Sequence, residues 1–452
     1  MIQISFPKGF VWGAATSAYQ IEGSPLSDGA CPSIWHEFSH RAGKIRDGTN
    51  GDIACDHYHK YLEDIQAMRA MGLKAYRFSI AWPRVFPEPD RINGKGLDFY
   101  QRLVDALLEA GIEPFATVFH WDEPIWLERM GGLAWRGSVD HLLKYGETLF
   151  RALGDRVKKW ITINEPVVYA FYGYGLGLHA PGRARDLRGV FHSTHHMLLA
   201  HARLLEACNS LVAGGSAGIA NHCDWISPRE PSTRRDRDAA LFMEEAELGL
   251  YNDPIFLGEY PPRVLRRLGR FFPKGFERDL ERMKQPQGFL GLNYYSRNRY
   301  RYAPLAPYLR AKEVVDPRAP RSAVWEIYPG GIRALLRRVR EKYGNPPCYI
   351  TENGYPLPEA PGRDPLEDPE RIAYIADHAA MVGKAIEEGA DCRGYFYWSL
   401  MDNFEWSNGN ALRFGLLRTD FESQRRQWRK SAFWYRDLIA DNRLAVERLP
   451  AD

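Results

Sequence analysis

Runs of β-branched and aromatic residues recur along the whole chain, each separated from the next by a longer segment with helical patterning. Such runs favour strands because branched side chains pack well on a pleated surface. We read strands at Phe10–Ala14, Ala75–Ile80, Glu113–Phe119, Lys159–Ile163, Ser216–Ala220, Gly288–Leu292, Cys348–Thr351 and Gly394–Tyr397. Apolar residues at helical spacing predict helices over Tyr58–Met71, Leu97–Ala110, Ser138–Leu153, Gly330–Tyr343 and Arg371–Glu388. Gly72, Gly111, Gly154, Gly344 and Gly389 follow these directly, as expected of the residue just past a helix end. Eight strands alternating with helices put the chain in the α/β class and predict a parallel (β/α)8 TIM barrel.

A length of 452 residues alone would suggest two or three domains. No Ser/Gly linker or break in composition divides the chain, so residues 1–452 read as a single barrel catalytic domain. The Pro- and Arg-rich stretch Tyr300–Ala323 reads as a long loop over the barrel mouth. A net charge of only +3 argues against a nucleic-acid partner, and arginines such as those in Arg333–Arg340 read as a solvated helix face. The first residues lack the basic start and apolar core of a signal peptide, and no apolar run approaches membrane-spanning length. Six scattered cysteines without a Cys-x-x-Cys pair fit reduced thiols and a cytoplasmic protein. A homo-oligomer is compatible with all of this, and no cofactor is implied.

Barrel active sites lie at the carboxyl ends of the strands. Two of those ends, in TINEP and ITENG, carry a glutamate beside an asparagine: Glu165 and Glu352. Paired carboxylates suit glycoside hydrolysis, in which one protonates the leaving oxygen and the other attacks the anomeric carbon. The other strand ends supply Gln20, Arg77, His120, Trp121, Asn164, Asn221, Asn293, Tyr295 and Trp398. Amides, an imidazole and tryptophans match a hexose, whose hydroxyls need donors and acceptors and whose apolar face stacks on an aromatic ring. A metal-dependent hydrolase is the rival reading, on His57 and His59 and on His192, His195 and His196. Those histidines fall on helices rather than at strand ends, so we read them as structural and expect no metal.

The segments FVWGAATSAYQIEG, DHYHKYLEDI, YRFSIAWPRVFP, VFHWDEP, TINEP, GLNYYS, WEIYP, YITENGYP and YWSLMDNFEW resemble the signatures of glycoside hydrolase family 1, in unbroken order over nearly the whole chain. The resemblance implies a retaining β-glycosidase of the bacterial β-glucosidase type on one (β/α)8 barrel. It implies Glu165 as general acid/base and Glu352 as nucleophile, supported by Arg77, Asn293 and Tyr295. Gln20, His120, Trp121, Asn164, Glu405 and Trp406 would line the sugar, Trp398 would be its stacking platform, and Trp325 would stack the leaving group. The expected substrates are small β-glucosides such as cellobiose or aryl and alkyl glucosides, with galactosides and fucosides as further candidates. NFEWSNGNALRFG contains Glu405 but no lysine, which favours an unphosphorylated sugar.

Overall fold

In the computed structural model, which describes residues 2–450, eight strands close into a barrel. They are β1 (Val11–Ala15), β2 (Ala75–Ser79), β3 (Glu113–Phe119), β4 (Lys159–Asn164), β5 (Ser216–His222), β6 (Phe289–Asn293), β7 (Cys348–Asn353) and β8 (Cys392–Trp398). Each pairs in parallel with its neighbours in chain order, and β8 returns to β1. The boundaries move by a residue or two from the sequence reading. The shift has consequences at β7, which continues through Asn353 and so holds Glu352 inside the strand.

Helices α1 (His57–Ala70), α2 (Gly94–Glu109), α3 (Ser138–Leu153), α4 (Leu187–Leu211), α5 (Gly330–Tyr343) and α6 (Pro369–Glu387) lie between these strands. Gly344 ends α5 at φ +78°, a left-handed conformation that favours glycine. Gly154 differs. It keeps a right-handed φ of −69°, and a Cβ there would lie 2.3 Å from the Phe150 carbonyl oxygen. Its small size, rather than its handedness, is what the α3 terminus uses.

Side chains alternate between the two faces of each strand. Inside the barrel, Ala15, Ala75 and Ala220 leave room for Phe115, Phe289, Tyr349 and Phe396. Phe115 lies 4.8 Å from Phe396 and 5.3 Å from Tyr349, ring centre to ring centre, and Tyr349 meets Phe289 at 5.3 Å. This aromatic layer plugs the barrel beneath the polar site. Phe396 is fully buried, so Phe396→Ala should cost about 3–5 kcal/mol, read as a fall in the denaturation midpoint.

The Tyr300–Ala323 stretch is only partly a loop. Arg297–Tyr302 pairs in parallel with Trp225–Pro228 and antiparallel with Ala311–Glu313, forming a small sheet of three strands. Two arginines at the start of its first strand, Arg297 and Arg299, share one buried carboxylate. Glu326 accepts from Arg297 Nε at 2.7 Å and from Arg299 Nε at 3.0 Å. Among the described residues, no helix is long and apolar enough to cross a membrane.

Candidate active site

Glu165 and Glu352 both lie at the carboxyl end of the barrel, 5% and 4% exposed. Each owes its aim to an irregularity in its strand. The β4–β5 register shifts between Ile161 and Asn164, and the β7–β6 register shifts between Ile350 and Glu352. A bulge re-aims side chains that strict alternation would send elsewhere. Glu165 then takes a left-handed backbone at φ +43°, uncommon for a residue with a side chain and often found where function holds the chain in place.

A hydrogen-bond chain joins the two carboxylates. Arg77, fully buried on β2, donates to Glu352 Oε1 at 2.5 Å and to Asn164 Oδ1 at 2.6 Å. Asn164 Oδ1 also accepts from Asn293 Nδ2 at 3.0 Å, and the same amide donates to Glu165 Oε1 at 2.9 Å. Thr351 Oγ1 donates to Asn293 Oδ1 at 2.6 Å, which fixes the amide so that its NH2 group faces Glu165. The Tyr295 hydroxyl donates to Glu352 Oε2 at 2.7 Å.

The two glutamates are therefore unlike. Both Glu352 oxygens accept, one from a guanidinium and one from a phenol, which suits an acceptor-only carboxylate. Burial pushes Glu352 up; Arg77 draws it down and Glu165 raises it again, with the balance at about 7. Arg77 and Tyr295 bias the negative charge of the pair towards Glu352.

The residues expected around a sugar converge on the same end of the barrel. Gln20 donates to Asn403 Oδ1 at 3.1 Å and to the Phe404 carbonyl at 3.0 Å, while Ser17 holds its Oε1 at 2.6 Å. Asn164 Nδ2 donates to His120 Nε2 at 3.0 Å, which leaves the proton on His120 Nδ1, a buried atom with no partner in the chain. Burial holds this imidazole well below its usual range, so it is neutral. Its ring is sandwiched at 6.0 Å from both Trp398 and Trp406. Burial pushes Glu405 up to about 8, aided by Glu352 and opposed by hydrogen bonds from Trp398 and Gln20. Trp325 is half-buried, 5.2 Å from Tyr295 and 5.9 Å from Phe414. The Trp121 indole N–H donates to the Asn164 carbonyl at 2.8 Å, so what Trp121 presents is its ring, 4.7 Å from Trp406.

One strand-end residue is corrected. Asn221 points away from the site, donating to Asn252 Oδ1 at 3.0 Å. Ala220 lies on the inner face of β5, so alternation turns Asn221 outward and brings His222 in. His222 Nδ1 lies 3.4 Å from Glu165 Oε1, and its Nε2 lies 3.4 Å from Asp224 Oδ2. Asp224 is itself anchored by the backbone N–H groups of Tyr295 and Ser296 at 3.0 and 2.9 Å. Burial opposes charge on His222, but Asp224 and Glu165 outweigh it and raise the imidazole well above its usual range. Strict alternation applied back from the strand end would have found His222; nothing in the sequence marks Asp224 or Thr351.

The helix-borne histidines are engaged elsewhere. His57 Nδ1 lies 2.7 Å from Asp64 and His59 Nδ1 lies 2.6 Å from Asp56. His195 sits between the Tyr260 hydroxyl at 3.0 Å and Asp279 at 2.9 Å, and His196 Nδ1 lies 2.9 Å from the Leu133 carbonyl. His192 lies on the same helix, α4, its ring 6.0 Å from that of His196.

The model of glycosyl hydrolase family 1 matches residues 2–444. A 1,4-beta-D-glucan glucohydrolase of Thermotoga neapolitana is 44% identical over 445 residues, covering 97% of this chain and 99% of its own. Beta-glucosidase A of Thermotoga maritima is 44% identical over 446 residues, covering 97% of this chain and 98% of its own. The solved structure of a family 1 β-glucosidase from Thermotoga maritima superposes with a TM-score of 0.94 at 43% identity, covering 99% of this chain and all of that one. With the barrel, the paired carboxylates and the match over almost the full length in agreement, the chain belongs to glycosyl hydrolase family 1.

Proposed function

We propose that this protein is a retaining β-glucosidase in which Glu352 is the nucleophile and Glu165 the acid/base. The observation that carries the reading is the asymmetry of the pair: Arg77 and Tyr295 donate to Glu352 at 2.5 and 2.7 Å, whereas Glu165 accepts from the neutral Asn293 amide and has its nearest cationic partner, His222, no closer than 3.4 Å. In the first step a Glu352 oxygen forms a bond to the anomeric carbon as the glycosidic bond breaks, and Glu165 gives its proton to the departing oxygen. In the second, Glu165 takes a proton from water, whose oxygen attacks the anomeric carbon and releases Glu352. Glu165 Oε1 already faces Asn293 and His222, so Oε2 is the oxygen that carries the proton. His222, held by Asp224, stabilises the carboxylate that remains once the proton has left.

The sugar would stack on Trp398, with hydroxyls reading Gln20, His120, Asn164, Glu405 and the edge of Trp406, and Trp325 would meet the leaving group. One catalytic domain spanning residues 1–452 would suffice. Cellobiose and aryl or alkyl β-glucosides fit such a site, and a Glu405 that reads both the 4- and 6-positions admits galactosides and fucosides. A Thermotoga maritima β-glucosidase of 43% identity has been solved in complex with galacto-hydroximolactam, which supports that latitude. Transglycosylation onto a sugar acceptor would follow whenever an acceptor reaches the intermediate before water does. A cytoplasmic location fits the six cysteines, all free thiols.

The test is a set of initial rates on nitrophenyl β-glucoside, β-galactoside, β-fucoside and 6-phospho-β-glucoside, with the α-glucoside as control. Turnover of the unphosphorylated β-glycosides is expected; preference for the phosphorylated or the α-linked sugar would refute the reading. Glu405→Ala refines it. Burial favours the neutral carboxyl, for which each hydrogen bond contributes about 0.5–1.5 kcal/mol, so losing two should lower kcat/KM on the glucoside by roughly 5- to 150-fold. The fucoside lacks the 6-hydroxyl and should fall less; equal losses would remove Glu405 from the 6-position.

A further inference from the structure

The backbone around Glu165 is held on both sides by one short segment, Trp121–Glu123, which follows β3. On the amino side, the Trp121 indole donates to the Asn164 carbonyl at 2.8 Å. On the carboxyl side, Glu165 opens the helix Pro166–Ala170, and its carbonyl accepts from the Tyr169 N–H at 3.2 Å. The Tyr169 hydroxyl in turn donates to Glu123 Oε2. Glu165 sits at φ +43°, a conformation that persists only where the surroundings over-determine it. Both of these ties return to the same three residues.

Glu123 is fully buried and faces a second carboxyl, Glu128 of the helix Ile125–Arg129. Glu123 Oε1, Glu128 Oε2 and the Tyr174 hydroxyl are all buried without a hydrogen-bond partner. They converge on Gly132, where an added Cβ would lie no more than 3.1 Å from any of them. One cation, Arg183, is engaged with the pair, through Glu128 Oε1. Arg41 and Glu37, 3.7 Å from each other, lie on the far side of Glu128. One guanidinium balances one carboxylate, so two ionised carboxyls would leave a buried charge uncompensated. The missing charge falls on Glu123, the more deeply buried of the two and the one without the arginine. Burial, with Glu128 adding to it, pushes Glu123 up to about 8 against the opposing pull of Tyr169 and Arg183.

We propose that Glu123 is a positioning residue for the acid/base: in its protonated form it holds Tyr169, and through Tyr169 the turn that aims Glu165. This role rests on the reading of Glu165 as the proton donor. Glu123 itself touches no reacting atom. Ionised, it would set two buried charges against each other across Gly132, and the segment that ties both flanks of Glu165 would give way.

The experiment compares Glu123→Leu, Glu123→Gln and Tyr169→Phe with the wild type on dinitrophenyl, nitrophenyl and methyl β-glucosides. Glu123→Leu and Tyr169→Phe should each lower kcat roughly 10- to 100-fold with KM little changed, the cost of a slightly misplaced catalytic group. The loss should grow as the leaving group becomes less acidic, since only acid catalysis suffers. The double variant should lose no more than the larger single loss, because both changes break one link. Glu123→Gln keeps an oxygen for the Tyr169 hydroxyl and carries no charge, so it should recover most of what Glu123→Leu loses.

Thermal unfolding against pH gives a second readout. A carboxyl raised in the folded state contributes stability in full below the ordinary carboxylate range and loses it as pH rises through about 8. The wild type should therefore lose stability relative to Glu123→Gln between about pH 5 and pH 8. Parallel curves for the two proteins would overturn the proposal. So would losses in Glu123→Leu and Tyr169→Phe that are equal across leaving groups. Glu165→Gln on the same glycosides keeps the two readings apart. If its own loss depends on the leaving group, uniform losses in the other variants remove only the positioning role; if its loss is uniform too, the acid/base assignment falls with it.

Discussion

Glu352→Ala should lose at least about 10⁴-fold in kcat on a nitrophenyl β-glucoside, the scale of loss when a nucleophile that acts as part of a unit is removed. The rest of the site should survive, because Glu352 is held from outside by Arg77 and Tyr295 and anchors little itself. The cavity left beside the anomeric carbon is large enough for a small anion. Azide should therefore restore turnover and yield the α-glycosyl azide, inverted because a single displacement has occurred. Product with retained configuration would mean that another group on the protein had attacked first.

Glu165→Gln separates the two steps. A positioned general acid contributes about 10²–10⁴-fold, and its loss falls hardest on leaving groups that need a proton. Cellobiose and alkyl glucosides should become nearly inert, whereas a dinitrophenyl glucoside, whose phenolate leaves unaided, should still form the glycosyl-enzyme at close to the normal rate. Water attack then lacks its base, so stopped-flow measurement should record a burst of phenolate followed by slow turnover. A uniform loss across leaving groups, with no burst, would mean that Glu165 does not deliver the proton. His222→Asn offers a gentler version of the same test. Removing the imidazole next to Glu165 Oε1 should change the pH profile of kcat/KM more than it changes KM.

The barrel was legible because each strand is a short run of branched and aromatic residues bounded by a well-patterned helix, as at Lys159–Asn164 after Ser138–Leu153. Glu165 and Glu352 were legible as strand-end carboxylates. What places them was not. The register shifts at Ile161–Asn164 and Ile350–Glu352 depend on how neighbouring strands pack, and no local residue choice announces them. Asn221 shows the converse: as a polar residue at a strand end it fits the pattern by type, yet alternation turns it outward and gives its place to His222. The segment from Tyr300 was misread because its strand begins before it, at Arg297, and pairs with Trp225–Pro228, some seventy residues earlier. Glu326, some thirty residues on, accepts from both Arg297 and Arg299 of that strand. Contacts that span such separations are what a single sequence conceals.

The central claim is a covalent intermediate on Glu352, and trapping it is the most direct measurement. A 2-deoxy-2-fluoro-β-glucoside with a dinitrophenyl leaving group should form the intermediate readily and release it slowly, since fluorine destabilises both transition states while the leaving group rescues only the first. Intact-mass spectrometry should show the protein heavier by one fluoroglucosyl unit, and peptide mapping should place it on Glu352. A label on any other residue, or an unlabelled protein that releases α-configured glucose from a β-glucoside, would contradict the account.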